Sequence, residues 1–78
     1  DAYTMQEIKV RFRDSLEFRG YLFRLLQERG GSICNCAVNK TGDGDVAYTL
    51  TVRVKEPISA QELQGPMDRH EQISSFSV

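Results

Sequence analysis

The sequence predicts an α+β fold of βαββαβ order, with a four-stranded antiparallel sheet and two helices on one face. Three observations carry this. Ile8, Val10 and Phe12 alternate with charged residues, and a longer alternation runs from Val46 to Val54. Helix-starting patterns stand at Asp14–Glu17 and Ser59–Glu62, each after a strand. With right-handed crossovers this order is the ferredoxin-like split βαβ arrangement, whose second sheet face stays open.

Each element has its own reason. In the first strand Ile8, Val10 and Phe12 take one side, Lys9, Arg11 and Arg13 the other. Asp14 stands at the N-cap position with Glu17 three residues on, opening a helix from Leu16 to Arg29. Phe18, Leu22, Leu25 and Leu26 share one face of that helix, and Gly30-Gly31 ends it. Ser32 to Asn39 is a second strand whose register is open, because both sides carry small or apolar groups. Thr41-Gly42-Asp43-Gly44-Asp45 is a turn by composition. The third strand sets Val46, Tyr48, Leu50, Val52 and Val54 against Ala47, Thr49, Thr51, Arg53 and Lys55, and Pro57 stops it. Ser59 and Glu62 form a second capping box, with Leu63, Met67 and His70 on one side of the helix; Gly65-Pro66 should kink or break it. Ile73, Phe76 and Val78 make the last strand.

Composition narrows the function. Seventy-eight residues form one domain spanning 1–78, which buries only about 60% of its unfolded surface, so a partner would help its stability. A net charge of −1 argues against nucleic acid and against anionic membrane surfaces as partners. No apolar run approaches the roughly 20 residues of a membrane span, and there is no signal-peptide core. The chain opens on Asp1, which leads us to expect a fragment of a longer protein. Cys34 and Cys36, separated by Asn35, sit on the same side of a regular strand, too far apart for a relaxed disulfide. Free thiols in a reducing, cytoplasmic setting are the expectation.

The strand ending at Asp14, the helix with Leu22, Leu25 and Leu26, Gly30-Gly31-Ser32-Ile33, the strand Tyr48 to Val54 and the closing Ile73, Phe76 and Val78 resemble an ACT domain. The resemblance implies a small regulatory module of amino-acid metabolism and related proteins. Ligand-binding ACT domains usually carry a glycine in the turn after strand one; here that place falls on Glu17, and Gly20 lies further into the helix. Within ACT-like domains the whole-domain pattern is similar to the cytoplasmic C-terminal domain of the MgtC/SapB family of bacterial membrane proteins. That resemblance implies a parent protein held in the inner membrane by segments before this domain. It also implies a role linked to magnesium limitation and virulence, and a tail that binds a partner.

Several residues stand out as candidate sites. Lys9, Arg11, Arg13 and Arg53 project from the open sheet face, either as a solvated surface or as a patch for an acidic partner. Leu16 and Phe23 point away from the packed face of helix one and are covered by neighbouring elements or by another subunit. The expected partner is therefore a protein or a second copy, as in a homodimer. The alternative is a small-effector sensor, taking an amino acid at a dimer interface near Asp14, Ser15, Glu17 and Gly20. The expected function is non-catalytic. His70 has no nucleophile placed beside it, and the acidic Asp14-Ser15-Leu16-Glu17 stands where an acylphosphatase-like fold needs an anion cradle. No cofactor is expected. Two thiols and one histidine fall short of a tetrahedral zinc set, and Gly42-Asp43-Gly44-Asp45 lacks the remainder of a calcium loop.

Overall fold

In the computed structural model, which describes residues 2–78, the elements are β1 (Thr4–Arg13), α1 (Leu16–Glu28), β2 (Ser32–Lys40), β3 (Asp45–Val54), α2 (Ala60–Asp68) and β4 (Ile73–Ser77). The sheet is antiparallel with strand order β2-β3-β1-β4, so the two alternating strands of the sequence are its centre. Pairing of Ile8 with Leu50, Val10 with Tyr48 and Phe12 with Val46 puts their apolar sides on one face. Phe18, Leu22, Leu25 and Leu26 of α1 and Leu63 and Met67 of α2 cover that face and complete the buried core. The ferredoxin-like arrangement expected from the sequence is therefore the one observed.

Several local expectations are corrected. The N-cap of α1 is Ser15, not Asp14: Ser15 Oγ accepts from the Phe18 N–H at 3.1 Å. Asp14 instead donates its N–H to the Gly44 carbonyl at 3.2 Å, which holds it in the sheet end and moves the cap one residue on, while the helix starts at Leu16 as expected. At the other end the Gly31 N–H reaches the Leu26 carbonyl and the Gly30 N–H that of Gln27, with Gly30 at φ 89°, a Schellman closure that needs glycine. Pro66 does not break α2. It lies near the end of the helix, is buried, and the helix continues to Asp68. The Ser59–Glu62 capping box is present in both directions.

Both edge strands carry an irregularity that the period-two reading missed. Ile33 pairs with Val52 but Asn35 with Thr51, so Cys34 is extra and the alternation slips. Cys34 is exposed while Cys36, opposite Leu50, is half-buried; the two thiols do not share a face. In β4, Phe12 pairs with Ile73 and Arg11 with Ser75, leaving Ser74 extra. That slip is why Ile73 and Phe76, three apart, both pack against the core. Val78 lies beyond the strand.

One clamp joins distant parts of the chain. The Gln6 amide donates to the Ile58 carbonyl at 2.6 Å and accepts from the Ile58 N–H at 2.9 Å. It closes the loop between β3 and α2 over the core, where Ile58 is only 2% exposed.

Candidate functional site

The turn from β1 into α1 divides the residues expected to bind a small effector. Asp14 and Ser15 line a shallow cavity of about 370 Å³ together with Leu16, Arg19 and Tyr48. Glu17 does not line it, and faces a smaller depression of about 160 Å³ beside Tyr21, Arg24, His70 and Gln72. Gly20 is inside α1, and a side chain built on it would meet nothing within 4 Å. No backbone approach requires a glycine there. Asp14 and Arg19 bring one charge of each sign to its lining; Arg19 and Tyr48 were not singled out in the sequence, because only the fold brings them to this cavity.

The cations of the sheet face do not form one patch. Lys9 lies 3.8 Å from Glu7. Arg11 meets Asp43 at 2.6 Å and Asp45 at 3.3 Å, and Arg13 meets Asp45 at 3.7 Å. Ser74 donates to Asp45 at 2.8 Å, so this carboxylate ties β3 across β1 to β4. Asp43 also accepts from Thr41 Oγ1 and, at 3.0 Å, from the Asp45 N–H. Those hydrogen bonds, with the Arg11 charge, hold its carboxyl at about 2, below the ordinary 3.8. The hydrogen bond to the Asp45 carboxylate, with the Asp43 charge, raises the pKa of Arg11. Arg53 pairs opposite Met5, at the far end of the strands from Arg13. Between these ends the open face is floored by short side chains such as Ala47, Thr49, Ser75 and Ser77.

The flank of α1 beside β2 is the third feature. Leu16 is 73% exposed, the most open large apolar side chain among the described residues. Phe23 is half-buried against the core margin. On β2, Val38 is 49% exposed and Cys36 is half-buried. Burial pushes the Cys36 thiol up, and the Arg19 charge opposes this, which places Arg19 on the same flank. β2 is an edge: it pairs with β3 only, runs nine residues without proline, and offers its outer N–H and C=O groups to another strand. Val38 was not marked as a site in the sequence, where the register of β2 was open and its place at the sheet edge was not assigned.

His70 belongs to no such site. It follows the end of α2 rather than extending its apolar side, and its ring packs 4.4 Å from Tyr21 and 5.3 Å from Phe18. Among the described residues no three His, Cys, Asp or Glu side chains are grouped as metal ligands would be. No helix among them is long and apolar enough to cross a membrane.

No protein-family model matches this chain, and no curated protein matches it either. Among solved structures it is similar to the solution NMR structure of the ACT domain from GTP pyrophosphokinase of Chlorobium tepidum. The TM-score is 0.61 at 15% sequence identity, over 96% of this chain and 84% of that one. Identity that low speaks for the fold alone, and with the strand order and helix placement it makes this an ACT-like fold.

Proposed function

We propose that this domain is a non-catalytic regulatory module that works by self-association through the β2 edge and the adjoining flank of α1. The observation that carries the reading is the pair of exposed apolar side chains Leu16 and Val38, with half-buried Phe23, beside a nine-residue strand whose outer edge has no partner among the described residues. A second copy related by a two-fold axis would pair β2 with β2 antiparallel and cover the apolar flank of each protomer with that of the other. A domain of this size gains stability from the added burial. In the parent protein the module would be the cytoplasmic tail of an MgtC/SapB-like membrane protein, where pairing of tails would report on or control the membrane portion. Fractionation of cells carrying the full-length protein tests that placement: recovery in the membrane fraction supports it, and recovery wholly outside that fraction overturns it.

Sedimentation equilibrium of the domain, beside a Val38→Lys variant, tests the association. Val38 is exposed, so the lysine costs the fold little, yet each protomer would bring an added positive charge onto the paired edges. The wild type should associate with rising concentration and the variant at least about tenfold more weakly. A wild type that stays monomeric would refute the proposal.

A second reading rests on the Asp14–Arg19–Tyr48 cavity, which opens on the same flank. Its lining carries one carboxylate and one guanidinium, the charge signs that the ammonium and carboxylate of a free amino acid need, and a paired protomer would close it. Amide shifts clustered at Asp14 to Arg19 on adding one amino acid would favour an effector sensor; amides that stay still would leave association alone.

A further inference from the structure

At the opposite end of β2 from Val38 the chain gathers positive charge around a groove of about 410 Å³. Arg29 comes from the C-cap of α1, Arg53 from β3, and Lys55 from one residue past that strand. Arg53 and Lys55 are two apart, so the strand aims both the same way, and both lie over the Tyr3 ring, at 4.8 and 5.7 Å from its centre. Gly30, Ser32, Pro57 and Ile58 complete the walls, with Ser32 paired to Arg53 across the sheet. The groove also holds Glu56 and Glu62, but Glu62 is turned back to cap the Ser59 N–H at 2.9 Å. None of the three cations has a carboxylate within 4.0 Å among the described residues, whereas Lys9, Arg11 and Arg13 all do.

Like charges brought onto one aromatic ring repel each other, and an anion between them relieves that repulsion. Guanidinium groups offer paired N–H donors that match phosphate oxygens, and lysine adds a point charge. A volume of about 410 Å³ suits a small molecule rather than a peptide or a nucleic-acid strand. We propose that this groove binds a small polyphosphorylated ligand, its phosphates held by Arg29, Arg53 and Lys55 and any flat organic portion lying beside Tyr3. The Gln6–Ile58 clamp and the Schellman turn at Gly30 hold two of its walls in place without the ligand.

An amide NMR titration of the domain with pyrophosphate tests this. Saturable shifts confined to Arg29, Gly30, Ser32, Arg53 and Lys55 are expected. An Arg53→Gln/Lys55→Gln variant with an otherwise native spectrum should bind at least about tenfold more weakly, since each lost charge-assisted contact is worth that much. Arg29→Gln serves as the second variant, and Lys9→Gln should bind as the wild type does. A parallel titration with a nucleoside diphosphate separates the sources: tighter binding with shifts at Tyr3 marks an organic phosphate, equal binding marks the phosphates alone. Shifts spread over every surface cation without saturation, or equal affinity in the Arg53→Gln/Lys55→Gln variant, would overturn the proposal. The groove lies away from the Leu16–Val38 flank, so this result and the association result stand or fall separately.

Discussion

Replacing Gln6 by leucine removes both halves of the clamp on Ile58 and leaves its part-buried N–H and carbonyl without those partners. The two bonds measure 2.6 and 2.9 Å and are part-buried, with Ile58 as a whole 2% exposed, so water replaces them only in part. A net hydrogen bond contributes about 0.5–1.5 kcal/mol, and stranding a part-buried partner costs at the lower end of a range of about 1–3 kcal/mol. The two together set the loss at about 2 kcal/mol. For a domain of this size that is a fall in melting temperature of roughly 8–16 °C, read by thermal unfolding followed by circular dichroism. Gln6→Glu separates the halves: its carboxylate still accepts from the Ile58 N–H but sets a negative oxygen against the Ile58 carbonyl. It should therefore destabilise at neutral pH, and recover part of the loss when acid protonates the new side chain into a donor. Hydrogen exchange at Ile58 should quicken in Gln6→Leu before the strands respond, and less in Gln6→Glu, which keeps an acceptor for the Ile58 N–H. A Gln6→Leu protein that melts within about 2 °C of the wild type would show that the clamp contributes nothing, and the argument from buried partners would fail here.

Further outcomes follow from single positions. Gly31→Ala puts a Cβ against Val52 Cγ1 and 3.1 Å from the Leu26 carbonyl, and should cost about 1–3 kcal/mol; Gly20→Ala, with open space around it inside α1, should stabilise by about 0.5–1 kcal/mol. Denaturant unfolding reads both, and a Gly20→Ala loss would mean that a glycine is needed at that position after all. Alkylation resolved by fragment mass spectrometry should modify exposed Cys34 well before Cys36, whose thiol is half-buried and pushed up; equal rates would contradict the strand irregularity at Cys34. The Asp43 carboxyl lies lower in the folded chain than its ordinary 3.8, so its stabilising contribution is present above that value and is lost as the pH falls toward about 2. Amide signals of Thr41 to Asp45 should accordingly move in that acid window, and Asp43→Asn should abolish the movement.

Much of the fold was legible because periodicity is a local property. The alternation in β1 and β3 and the face of Phe18, Leu22, Leu25 and Leu26 mark what each element buries without knowledge of its neighbours. The misplaced features all depend on contacts between distant residues. The Asp14 N–H bond to Gly44 moves a cap by one residue, and the extra residues Cys34 and Ser74 shift which side chains face the core. Arg11 and Arg13 read as a basic patch because nothing in their own strand reveals that β3 sets Asp45 beside them. The candidate site was legible by halves. Asp14, Ser15 and Leu16 border the cavity that was sought, but Arg19 and Tyr48 join it only through the packing of α1 on the sheet. The cationic groove had one local trace, the two-residue spacing of Arg53 and Lys55, while Tyr3 and Arg29 reach it from opposite ends of β1 and α1.

The central claim is pairing through β2, and hydrogen exchange of its amides at low and high protein concentration tests it most directly. Pairing predicts that the outward N–H groups between Cys34 and Lys40 exchange quickly in dilute protein and become protected as concentration rises. It predicts too that Val38→Lys abolishes that gain. Outward amides that exchange equally fast at every concentration, with no change in sedimentation, would contradict the account.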